Sequence, residues 1–141
     1  MDKKRLSRIM AKADPAAIAA LAGTIRKEHD IVVIKAPGKT LAMVKMREPV
    51  KSSQFYIGEV IVTEAVVGLD GARGIAVVMG DDFEKTLNMA IIDAACNRGV
   101  FAGEAALLEL ERAQLELEQK ENAMHLKTMV RFNSMDTEAQ K

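Results

Sequence analysis

The sequence predicts an α+β domain: a four-stranded antiparallel meander with helices before it, one covering helix and one long C-terminal helix. Three observations carry this. Helical periodicity at both ends brackets a central block, Ile31 to Gly80, in which apolar residues alternate with a period of two. The segments of that block are joined by short connections, and parallel pairing would need long crossovers. One segment, QFYIGEVIVTEAVVGL from Gln54 to Leu69, is apolar on both faces, as a strand covered on both sides would be.

Two short helices are expected over residues 1–30. The second is the better marked, with Asp14 as N-cap and Pro15 at the first helical position before AAIAALAGTIRKEH. The period then changes. Ile31 to Lys35 and Thr40 to Glu48 read as the first two strands, joined by a tight turn at Ala36-Pro37-Gly38-Lys39. Gln54 to Leu69 is the third and would span roughly 50 Å if straight, about twice what a small domain needs. Its faces keep one carboxylate each, Glu59 and Glu64. Leu69-Asp70-Gly71 turns the chain into a fourth strand, Ala72 to Gly80.

A helix follows, opened by Asp81 and Asp82 with Glu84 in capping-box spacing from Asp81 and closed at Gly99. Its stripe Phe83, Leu87, Ala90, Ile91, Ala94 and Ala95 is wide enough to cover a sheet face. The last helix, Glu104 to Leu126, carries the narrower seven-residue seam Leu110, Leu117, Met124, with Ala106 and Ala113 between. A seam of that kind points to docking along another subunit, with Arg112 and Lys120 at its margin. The chain reads as one domain over residues 1–141: helices over 1–30, the sheet over 31–80, two helices over 81–127 and a tail over 128–141.

Composition narrows the function classes. The chain has 141 residues, 49% of them apolar and 28% charged, with a formal net charge of zero, which removes any global field toward nucleic acid or anionic membrane. A single cysteine, Cys96, excludes an internal disulfide and fits a reducing, cytoplasmic setting. The start, MDKKRLSRIM, lacks the apolar core of a secretory signal. With no tryptophan and five Phe and Tyr residues, base stacking is a poor mode of work.

The chemical motifs are incomplete. Gly38-Lys39-Thr40 ends like a phosphate-binding loop, but Val33 stands where that loop needs glycine, and a strand follows where it needs a helix. His29 and His125 are far apart and have no partner at metal-ligand spacing. Cys96 sits on the inner pattern of its helix as a small core residue. Asp93, inside an apolar helix, is the weak candidate for a general acid, set against a carboxylate bonded to backbone or to a cation. A basic start followed by two helices and a hairpin suggests a winged-helix regulator, yet Ala16 to Ala22 offers almost nothing polar to base edges. A stand-alone DNA-binding regulator and a small acid–base enzyme using Asp93 or Glu59 are thus the alternatives to a reading in which excess apolar surface marks a subunit of an assembly.

Phe55 to Val67 as F-x-x-G-E-x-x-x-T-x-x-x-V, Asp70 to Gly74 as D-G-x-x-G, and G-x-D with I-D-A between Gly80 and Ala94 together resemble the PhnG family, the G subunit of the carbon–phosphorus lyase system. Met10 to Ala13 and Thr128-Met129-Val130 extend the likeness toward both ends. The resemblance implies an accessory, noncatalytic subunit of a cytoplasmic complex with the H, I and J subunits, and with L and K as further candidates. Such a complex displaces adenine from ATP by a phosphonate to give a ribose 1-phosphonate 5-triphosphate. ATP and magnesium are used by the complex, and no cofactor or metal is expected on this chain. Its expected interface residues are Glu59, Glu64, Leu110, Leu117 and Met124, with the long strand packed on its own helix on one side and on a sister subunit on the other. Glu64 and Asp81 stand where the family usually has arginine, and Leu6 where tryptophan is typical. These changes remove two cations, so no triphosphate-binding role is expected there.

Overall fold

A computed structural model describes residues 1–130. Helices α1 (Lys3–Lys12) and α2 (Pro15–Glu28) are followed by strands β1 (Ile31–Arg47), β2 (Gln54–Leu69) and β3 (Ala72–Met79), then helices α3 (Phe83–Arg98) and α4 (Glu104–Thr128). The α+β class is as expected. Among the described residues the sheet, however, has three strands, antiparallel in the order β1-β2-β3, and not four.

The missing turn explains the difference. Pro37-Gly38 does not reverse the chain; β1 runs through it, and irregularities between Val33 and Lys35 and between Lys35 and Gly38 absorb the extra residues as bulges. Proline is tolerated because β1 is an edge strand whose outer side has no ladder to complete. A continuous β1 also gives β2 a partner along its whole length, from Ile31 opposite Leu69 to Arg47 opposite Gln54. Two short strands could not do that.

The turn between β2 and β3 forms as expected. Asp70 and Gly71 both have positive φ, 47° and 85°, the primed conformation that matches strand twist and that Asp-Gly favours. His29 Nδ1 lies 3.0 Å from Asp70 Oδ2 and ties the end of α2 to this turn.

Helix α3 is the centre of the core. Asp82, not Asp81, is its cap, accepting from the Lys85 backbone N–H at 3.0 Å. The capping-box expectation for Glu84 is therefore corrected: the position three residues after the true cap is Lys85. The helix ends at Gly99 in the left-handed conformation. It is buried well beyond one stripe, with Met89, Ala90, Ile91, Ile92, Ala94 and Ala95 all enclosed and Phe83 outside, because the sheet lies on one side and α2 on another. On the sheet its neighbours are Thr63, Ala65, Val67 and Leu69 of β2 and Ala76 of β3.

Helices α1 and α4 are parallel. Arg5 makes a two-pronged contact with Glu111, Nε to Oε1 at 2.9 Å, and Lys12 pairs with Glu118. Both partners advance by one heptad along their helices. Gln114 donates to the Ile9 carbonyl at 3.0 Å between them. Leu107 seals the base of α4 at 0% exposure.

Candidate interaction surface

The strands outrun the helix that covers them. At ~1.5 Å per residue α3 is about 24 Å long, whereas β2 is roughly twice that. The inner half of β2, Val62 to Leu69, pairs with both β1 and β3; the outer half, Gln54 to Ile61, pairs with β1 alone. The result is a two-stranded arm, closed at its tip by Glu48 to Ser53. Glu48 and Ser53 meet there through backbone and side chain, and Ser52 takes a positive φ of 55°.

The face that α3 covers in the domain continues along this arm uncovered. Leu41 opposite Ile61 and Met43 opposite Glu59 form a stripe whose apolar members are 57–60% exposed, bordered toward the tip by the Lys45–Tyr56 pair. Met46 opposite Phe55 lies on the other face, because the extra β2 residue at Ile57 shifts the alternation. Glu59, opposite Met43, is the charge within it. A one-residue slip between Val44 and Lys45 adds twist near the tip, and Lys45 Nζ sits 5.6 Å from the centre of the Tyr56 ring. The opposite face of the sheet is also open: Val32, Ile75, Val77 and Met79 are 63%, 51%, 52% and 73% exposed.

Of the expected interface residues, Glu64 finds its cation within the chain, Lys35 Nζ at 3.0 Å. Glu59 is exposed on the arm. Leu110 packs against the domain's own core, while Leu117 and Met124 are 58% and 67% exposed. From Gln119 to Thr128 every residue of α4 is exposed, so the last turns of the helix project from the domain. The long strand is thus packed on its helix over its inner half only. The arm residues Leu41, Met43 and Ile57 were not singled out from sequence, although the length of β2 and its two apolar faces were the signal.

Asp93 is engaged in structure. Its Oδ2 accepts from the Ile75 backbone N–H at 3.0 Å and from Asn97 at 3.4 Å, and Lys3 lies 3.6 Å from Oδ1. Asn97 in turn donates to the Arg73 carbonyl at 2.6 Å. Side chains one turn apart on α3 thereby occupy free backbone groups on the outer edge of β3, a site where another strand could otherwise add. Cys96 borders a cavity of about 230 Å³ with Leu6, Phe101 and Leu107, and burial pushes its thiol up from the usual range, which disfavours the nucleophilic thiolate. Lys85, whose Nζ donates to the Ala11 carbonyl at 2.7 Å, is pushed down by burial.

Gly38-Lys39-Thr40 lies inside β1, not in a loop that could wrap a phosphate. Among the described residues no group of three or more His, Cys, Asp or Glu side chains is placed to hold a metal ion, and no helix is long and apolar enough to cross a membrane.

The family motifs map onto this geometry as scaffold. Asp70-Gly71 makes the primed turn, Gly74 lets α3 approach β3, Asp93 ties α3 to the sheet edge, and Phe55, Gly58 and Glu59 lie on the arm. A comparison with curated proteins finds no match. The family model described as phosphonate metabolism protein PhnG matches residues 1–136, nearly the whole chain, and the chain belongs to that family.

Proposed function

We propose that this chain is an accessory subunit of a cytoplasmic carbon–phosphorus lyase core complex, taking part in the ATP-dependent step that releases adenine and forms a ribose 1-phosphonate 5-triphosphate. Family membership supplies the metabolic setting. The observation that carries the accessory role is the arm, an apolar stripe continuing the α3-covered face with none of the described residues over it. Exposed apolar surface of this kind marks a site of association. The titratable groups support the same reading, since Asp93 is held by backbone and Glu64 by Lys35. No step of the nucleotide chemistry is assigned to this chain, and ATP and magnesium are bound by sister subunits.

Co-expression of the tagged chain with the H, I and J subunits tests this. Co-purification is expected, and adenine release from ATP and methylphosphonate by the reconstituted set, including L, should be lost when this chain is omitted. Adenine release by the purified chain alone would overturn the accessory role. A set of sister subunits that assembles and turns over equally well without this chain would overturn the assignment itself.

A further inference from the structure

Two surfaces left open by the fold are complementary. On the arm, the pairs Leu41–Ile61 and Lys45–Tyr56 flank Glu59, which lies opposite Met43 on the same face. On the projecting half of α4, Leu117 and Met124 flank Lys120, which shares their helix face at spacings of three and four residues. The spacings are of similar size: Leu41 to Lys45, the partners of Ile61 and Tyr56, is about 13 Å along a strand, and Leu117 to Met124 about 10 Å along a helix.

Charge agrees as well. The arm from Lys39 to Ile61 carries four cations, Lys39, Lys45, Arg47 and Lys51, against Glu48 and Glu59. None of the six is in an ion pair among the described residues. Helix α4 presents Glu116 and Glu121 beside the Leu117–Met124 seam. Strand addition is the less suitable mode, because Pro37 and its flanking bulges interrupt the free edge of β1, Asp93 with Asn97 occupy that of β3, and the extra residue at Ile57 breaks the open edge of β2 along the arm.

We infer that, in the absence of other subunits, the arm is covered by the projecting half of α4 from a second copy of this chain, with Lys120 of one copy meeting Glu59 of the other. Reciprocal exchange about a two-fold axis makes the contact twice, bringing it toward the roughly 1,200–2,000 Å² that stable interfaces bury. A helix thereby lies on the arm as α3 lies on the inner sheet.

Analytical ultracentrifugation of the full chain tests this without any sister subunit, so its failure is separate from failure of the proposed function. A dimer is expected. Ile61→Asp and Leu117→Asp should each yield monomers, with circular dichroism unchanged because both side chains are exposed, and with thermal unfolding that no longer depends on protein concentration. Glu59→Lys should weaken the dimer by about tenfold or more, since it sets like charges together, and adding Lys120→Glu should restore it. A parent chain that stays monomeric at high micromolar concentration overturns the inference. So does a dimer indifferent to Ile61→Asp, or a charge swap that fails to rescue.

Discussion

Gly74 of β3 lies directly beneath Ala90 of α3: a methyl group on Gly74 would overlap the Ala90 carbonyl and come within 2.7 Å of the Ala94 Cβ. Helix and strand touch here backbone to backbone, and the small residues on both sides are what permit it. Gly74→Ala should therefore lift α3 from the sheet. Overpacking of this kind costs about 1–3 kcal/mol, and the rigid backbone on the helix side places this site at the upper end. A urea midpoint within error of the parent would show that α3 can shift freely.

Asp93 is a positioning residue for the fold. Asp93→Ala leaves the Ile75 N–H without its acceptor and Lys3 without its counter-charge. A loss of about 1–3 kcal/mol in unfolding free energy is expected, with adenine release by an assembled complex falling only as far as the folded fraction falls. A large drop in turnover at full assembly and unchanged stability would return Asp93 to a catalytic role.

Two leucines on α4 should behave oppositely. Leu107 is at 0% exposure and Leu117 at 58%. Leu107→Ala should cost about 2–5 kcal/mol of stability, whereas Leu117→Ala should stay within ~0.5 kcal/mol in the monomer. Chemical denaturation at a protein concentration low enough to exclude association would check both.

Lys85 supplies a pH dependence. Burial lowers its folded-state pKa below the ordinary lysine value of 10.5. Between the two values the unfolded chain binds more protons than the folded one, so folding stability rises with pH across that window. At lower pH the cost of holding the buried ammonium is fully present. The stability of the parent relative to Lys85→Met should accordingly increase as pH rises through the alkaline range toward 10.5. A difference independent of pH there would mean that the ammonium is as well solvated folded as unfolded.

Cys96 should alkylate slowly. Its thiol is pushed up by burial, so less thiolate is present near neutral pH than in a free cysteine. Mass spectrometry after iodoacetamide treatment should show labelling slower than that of glutathione, and speeding up when the chain is unfolded in urea.

Local chemistry determined much of this protein. Pro15 opens α2, Asp70-Gly71 makes its turn, Gly99 ends α3, and the period of the apolar residues places every helix and the long strand. Each of these depends on backbone preferences that act within a few residues. The family resemblance was legible for the same reason, since its motif residues sit at turns and close approaches where few residue types fit. Tertiary structure decided the rest. Pro37-Gly38 serves equally as a tight turn or as a bulge, and only the demand of the sixteen-residue β2 for a partner along its full length selects the bulge, reducing four strands to three. Alternation places Ile61 on one face with Ala65 and Val67, but it shows neither the extra residue at Ile57 that turns Phe55 to the other face nor how far a covering helix reaches. That is set by where α3 crosses the sheet over Gly74 and by its length, which leaves the inner residues buried and the outer ones, with Glu59 among them, exposed along the arm.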